Sequence, residues 1–331
     1  MQKETLEGFR LSPQQERLWL LQQGGPAFRA ECVVELEGPL DAGLLREAWR
    51  AVVSRHEILR TTYELLPGMG LPVQVIGDDP AAAFALEETD LTGRDGDEQR
   101  RLLEELRRAE RSCAFDLERG PVLRLSLARL SAGRHWLLVS LPALCADART
   151  LRNMLEELAR GYAELTGGVA AEAGETVQYV DYAQWQHELL EEAGAGDGAG
   201  AEGPEGAPGE ELRLPGERRA ASGFEPARWS GVVAAEVAAR LGELSGRHGA
   251  PLAVLLLAAW QTLLWRLTKQ PPAVELLFDG RKISHLRGAL GLFASHARVG
   301  CPFAAGLRFT EVLRRTGEAV AAAHSRREYL V

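Results

Sequence analysis

Arg134-His135-Trp136-Leu137-Leu138-Val139-Ser140-Leu141-Pro142-Ala143-Leu144-Cys145-Ala146-Asp147-Ala148-Arg149-Thr150 is the stretch on which the reading of the fold turns. Residues 136–141 are apolar nearly throughout, as in a strand covered on both faces and therefore central in its sheet. After a short loop through Asp147, the apolar residues Leu151, Met154, Leu155 and Leu158 recur at helical spacing. The stretch predicts a buried strand, a tight loop and a helix that stops near Gly167-Gly168.

Working outward, helices and strands mix. Residues 31–36 read as a short strand, and Asp41 can cap a helix with Leu45, Trp49 and Val52 on one face. Residues 97–113 form a charged helix with Leu103, Leu106 and Ala109 as the expected buried stripe. Leu123, Leu125 and Leu127 alternate with polar residues, as in a half-buried strand. Residues 193–209 are almost wholly Gly, Ala, Glu and Pro, a composition that cannot bury a core. They predict a flexible linker between an N-terminal lobe, 1–192, and a C-terminal lobe, 210–331. In the second lobe a short strand is expected at 229–233, then a helix ending near Gly246. A long apolar helix started by Pro251, a strand at 274–278 leading to Asp279-Gly280-Arg281, and a last helix at 310–327 follow. The fold class is α/β or α+β in two lobes.

Composition narrows the function. Against 38 Lys+Arg stand 47 Asp+Glu, a net charge of -9, which argues against nucleic acid or an anionic membrane as the main partner. The four cysteines, Cys32, Cys113, Cys145 and Cys301, are widely separated, so neither a disulfide framework nor a metal site is expected. The N-terminal residues Gln2, Lys3, Glu4 and Thr5 carry no apolar signal core, and the greasiest run, 252–265, is too short to span a bilayer. A cytoplasmic, reduced protein is expected.

Several blocks, in order, carry a resemblance. They are Leu11-Ser12-Pro13-Gln14-Gln15-Glu16-Arg17-Leu18-Trp19, Arg55-His56-Glu57-Ile58-Leu59-Arg60-Thr61, Phe115-Asp116-Leu117-Glu118-Arg119-Gly120-Pro121 and Tyr179-Val180-Asp181-Tyr182-Ala183-Gln184-Trp185. Gly280-Arg281 and Leu290-Gly291-Leu292-Phe293 follow. The set resembles the condensation domains of nonribosomal peptide synthetases. The resemblance implies a two-lobed, V-shaped fold like chloramphenicol acetyltransferase, with a channel between the lobes. It also implies amide formation from donor and acceptor thioesters on the phosphopantetheine arms of peptidyl or acyl carrier domains, with no cofactor bound by the domain itself. Adjacent adenylation or tailoring domains are the other implied partners.

Three departures from the family pattern bear on activity. Where the family carries His-His-x-x-x-Asp-Gly, the histidine positions are Pro142 and Ala143, the aspartate is Asp147 and the glycine is Ala148. A methyl group cannot take a proton from an attacking amine. The Asn-Thr pair of a later motif is Ser295-His296, and the arginine that usually ends that motif aligns with Gly300. The family normally continues past the position of Val331 with further strands, so a trimmed or a naturally shortened domain is expected.

By resemblance, Asp147 is structural, salt-bridged to Arg281 or, alternatively, Arg17. Ser295 and Cys145 are expected to line the channel, Cys145 as a small buried residue rather than a nucleophile. His296 is the candidate relocated base, weighed against a histidine satisfied by local hydrogen bonds. His56 and His135 read as structural, and Trp19, Trp49, Trp136 and Trp185 as core. Two functions compete: a non-catalytic structural or docking platform in peptide biosynthesis, or an acyltransferase that works through His296 or by positioning alone. A third is a sensor that binds a small acyl molecule.

Overall fold

The computed structural model describes residues 8–22, 28–168, 176–195, 212–217, 229–304 and 306–326. In chain order the elements are α1 (Pro13–Leu21), β1 (Arg29–Glu37), α2 (Ala42–Arg55), β2 (Thr61–Glu64), β3 (Val73–Ile76), β4 (Phe84–Asp90), α3 (Gly96–Ser112), β5 (Leu123–Ser131), β6 (Arg134–Pro142) and α4 (Ala148–Leu165). Then come α5 (Tyr179–Ala195), α6 (Ala235–His248), α7 (Leu252–Thr268), β7 (Ala273–Phe278), β8 (Ser295–Gly300) and α8 (Phe309–Arg326). The chain divides into two compact units. The first is Met1–Gly196 together with Asp279–Ser295; the second is Asp197–Phe278 together with His296–Val331. A single cut at 193–209 does not anticipate the return of Asp279–Ser295 to the first unit. The expected linker begins inside α5, which runs to Ala195, and its residues 196–209 lie outside the described residues.

The first unit is built on a four-stranded sheet in the order β1-β6-β5-β4. β6 runs antiparallel to both β1 and β5, and β4 joins β5 in parallel. The nine residues of β6 are buried except Arg134. Strand alternation sends Leu137, Val139 and Leu141 into the main core with Leu45, Trp49, Val52, Met154 and Leu158, while Trp136 and Leu138 face α3. That two-sided cover explains the continuous apolar run. α3 rests on Trp136 and Leu138 through Leu102, Leu103 and Leu106, whereas Ala109, expected in this stripe, is exposed. The register of the helix favours Leu102 over the smaller residue further along.

Aspartates set three helix starts. Asp41 caps α2, Asp95 caps α3 and Asp147 caps α4, each accepting from backbone N–H groups of the first turn. α1 begins with a capping box: Ser12 Oγ accepts from Gln15 N at 3.2 Å and Gln15 Oε1 accepts from Ser12 N at 2.9 Å.

In the second unit, Val254, Leu255 and Ala258 of α7 pack on Val312 and Leu313 of α8 and on Cys301. Gln261, wholly buried in this apolar helix, donates to Val299 O at 3.1 Å and accepts from Thr316 Oγ1 at 3.1 Å, so both halves of its amide are partnered. β7 and β8 form a two-stranded sheet. Pro251 is the residue that flanks α7 rather than a member of its first turn. The strand expected at 229–233 is not formed: the segment is irregular, with Trp229 90% and Val232 100% exposed. An apolar β pattern makes a strand only where a ladder partner exists, and no described strand pairs with it.

Candidate functional site around the Asp147 loop

β6 delivers the chain to Pro142, and a tight turn follows before α4 begins. The N–H of Ala143 donates to Phe28 O at 2.7 Å and that of Cys145 to Pro142 O at 2.9 Å. The turn is held from beneath by residues of two other segments. Gln15 Nε2 lies 3.0 Å from Leu144 O and 3.1 Å from Tyr63 Oη, and the Tyr63 hydroxyl reaches Leu144 O at 3.1 Å. Pro142 is buried, Ala143 half-buried and Ala148 exposed.

Asp147 sits at the hub. Its carboxylate accepts five hydrogen bonds: from Thr150 N at 2.7 Å, Arg281 Nη1 at 2.9 Å, Arg281 Nη2 at 3.1 Å, and Phe293 N and Ala294 N at 3.0 Å each. The Asp147 and Arg281 side chains are 5% and 1% exposed, so this is a bidentate, fully desolvated pair. Such a pair persists only when the remaining donors and acceptors are satisfied. Here they are: Arg281 also donates to Ala289 O at 3.0 Å and Thr150 Oγ1 at 2.6 Å, and its guanidinium lies 4.3 Å over the Phe293 ring. Arg281, not Arg17, is thus the guanidinium seated on Asp147; Arg17 is an exposed residue of α1.

Three residues of this network have no role that the sequence alone reveals. Thr150 Oγ1 donates to Gly291 O at 2.6 Å and lies 3.0 Å from Gly291 N. The Tyr179 hydroxyl donates to Leu292 O at 2.7 Å and lies 2.7 Å from Ser12 Oγ. Gly291 has φ +146, and a Cβ there would fall 2.0 Å from Tyr179 Cδ2. Each lies inside or beside a motif block, which is the only signal that could have pointed to it.

The other predicted residues fall elsewhere. Cys145, expected to line a channel, is wholly buried in the core of the first unit with its Sγ 3.3 Å from Tyr63 Oη. Burial pushes its thiol up to about 12, the Tyr63 contact pulling slightly the other way, so it is no nucleophile near neutral pH. The reason is geometric: the turn points Cys145 inward, under the loop. Ser295 opens β8 and is half-buried. His296 belongs to the second unit, about half exposed on β8, with Nδ1 3.8 Å from Glu275 Oε2 on β7. His56 is 2% exposed and its Nε2 lies 2.7 Å from Glu157 Oε2. Burial raises the Glu157 carboxyl, and His56 and Arg55 more than offset it, holding the group below its ordinary value. Trp49 and Trp136 are core, whereas Trp185 is 48% exposed: it lies on the outer face of α5. Among the described residues no cluster of His, Cys, Asp or Glu could hold a metal ion, and no single helix is long and apolar enough to cross a membrane.

Helices packed on a mixed sheet, with a strand–turn–aspartate loop pinned by a returning Gly-Arg segment, place the chain in the chloramphenicol-acetyltransferase-like fold class. Residues 7–330 match the Condensation domain family, and the chain belongs to that family. A linear gramicidin synthase protein of Brevibacillus parabrevis is 30% identical over 97% of this chain and 6% of that protein. Phosphinothricin tripeptide synthetase PhsB of Streptomyces viridochromogenes is 31% identical over 96% and 27%. The chain therefore spans under a third of either relative. Among solved structures, the X-domain from teicoplanin biosynthesis is similar with a TM-score of 0.76 and 30% identity, over 96% of this chain and 71% of that one. A complex of the X-domain and OxyB from teicoplanin biosynthesis matches with a TM-score of 0.75 and 29% identity, over 98% and 71%. The first condensation domain of the calcium-dependent antibiotic synthetase shares the fold at a TM-score of 0.78, 23% identity, 97% and 76% coverage.

Proposed function

We propose that this condensation domain is a non-catalytic platform in nonribosomal peptide biosynthesis, which docks a carrier domain or a neighbouring adenylation or tailoring enzyme. One observation carries the reading. The loop that bears the general base in the family pattern is intact in architecture yet has Pro142 and Ala143 at the base positions, while its carboxylate, Asp147, is fully engaged in holding the fold. The scaffold is maintained and the proton-handling group is not. The likeness to the X-domain, a structure of which is a complex with OxyB, supports recruitment of a partner as the role.

A second reading rests on His296. Its ring is about half exposed on β8, 3.8 Å from the Glu275 carboxylate, and a neutral imidazole there is a group able to take a proton in amide or ester formation between carrier-bound thioesters. Titration of the protein with phosphopantetheine-loaded carrier domains by calorimetry, beside an acyl-transfer assay of the same samples, separates the two. The platform reading expects binding without turnover. Turnover that His296→Ala abolishes, with the circular dichroism spectrum unchanged, replaces it by the second reading.

A further inference from the structure

Asp279–Ser295 leaves the second unit at the end of β7, packs within the first unit, and returns to the second at β8. Within it there is one short 3-10 turn, Ser284–Leu286, and no strand or α-helix before Ser295. Its attachment to the first unit is made of discrete fasteners. Asp147 takes the Arg281 guanidinium and the Phe293 and Ala294 N–H groups, and Thr150 clasps both backbone groups of Gly291. Asn153 Nδ2 donates to Arg287 O at 2.7 Å and Tyr179 to Leu292 O at 2.7 Å. Leu286, Ala289, Leu290 and Phe293 are its apolar anchors. β5 and β6 form their ladder without it.

We propose that Asp279–Ser295 is a strap that docks on and releases from the first unit as a single element, with Asp147 as its latch. β7 ends where the strap begins, and β8 begins at its last residue. Release separates a carboxylate from its guanidinium and uncovers four apolar side chains together, so the strap is docked or free with little between. It is a sub-global opening, rarer than fraying and commoner than unfolding.

Hydrogen exchange with mass spectrometry on the full chain tests this with Asp147→Asn and the milder Thr150→Val. Asp147→Asn is expected to speed exchange in peptides covering 286–294 by about tenfold or more, and Thr150→Val by less, while β5, β6 and α7 keep their unaltered rates. Unchanged exchange at 286–294 in both variants overturns the proposal. So does an increase shared equally by β5 and β6, or a Thr150→Val protein that fails to fold, because a releasable strap leaves the first unit standing.

Discussion

At Asp147 the geometry fixes a carboxylate from several sides at once. Five hydrogen bonds converge on this carboxylate, and loss of one member of a buried ion pair leaves the other charge stranded at a cost of about 3–5 kcal/mol. The side chains of Pro142 and Ala143 carry no polar atom that could be held in this way. Gly291 is the other fixed point. Ala there meets the Tyr179 ring and a disfavoured φ at once, so Gly291→Ala should lower the unfolding free energy in urea by about 2–5 kcal/mol. A change under about 0.5 kcal/mol would mean that the ring yields freely. Cys145 gives a residue-scale test of the inward-pointing turn. Iodoacetamide at pH 8 should label the exposed Cys113 and leave Cys145 untouched until denaturant is added. The thiol's ordinary value of 9.0 is raised to about 12 in the fold. Between those values the unfolded chain gives up the proton and the folded one keeps it, so this group lowers stability as pH rises above about 9. Labelling of Cys145 in the folded protein would show the turn to be open.

At the scale of elements, the capping of α1 joins helix start to site support. Ser12 caps the helix and meets Tyr179, whose hydroxyl carries on to Leu292 O. Ser12→Ala should therefore cost about 1–2 kcal/mol, more than a solvent-facing cap alone, with Ser12→Thr recovering part of it by urea denaturation. If Ser12→Ala costs no more than a few tenths of a kcal/mol, Tyr179 is held by its other partners. Elements fixed by local chemistry were legible in the sequence: Asp41 announced α2, and the alternation of Leu123, Leu125 and Leu127 announced β5. Elements fixed by distant partners were not. Residues 229–233 have a strand's composition, but a strand is a relation to another strand and the sequence does not say which. Ala109 failed for a lesser reason, since a stripe read at 3.6 residues per turn leaves open which of two neighbouring columns meets the sheet.

For the whole molecule, the ordered motif blocks carried the fold class, because together they specify a scaffold that no single block does. The candidate site was half legible. The Asp147–Arg281 pair could be read from motif positions, whereas the side chains of Thr150 and Tyr179 reach Gly291 and Leu292 across more than a hundred residues of chain. The two-unit division shows the same limit: composition predicts a boundary at 193–209 but cannot show that Asp279–Ser295 returns to the first unit. The central claim is that this scaffold recruits without making bonds, and it is tested most directly by product formation. Donor and acceptor carrier domains, each loaded with its aminoacyl or acyl thioester, are incubated with the protein and read by intact-protein mass spectrometry. The predicted result is carrier binding with no amide above a control lacking the domain, and no gain from Ala143→His, because Pro142 and Ala148 also shape the loop. Accumulation of an acceptor carrier bearing the condensed product, at a rate that rises with the concentration of the unaltered protein, would contradict it.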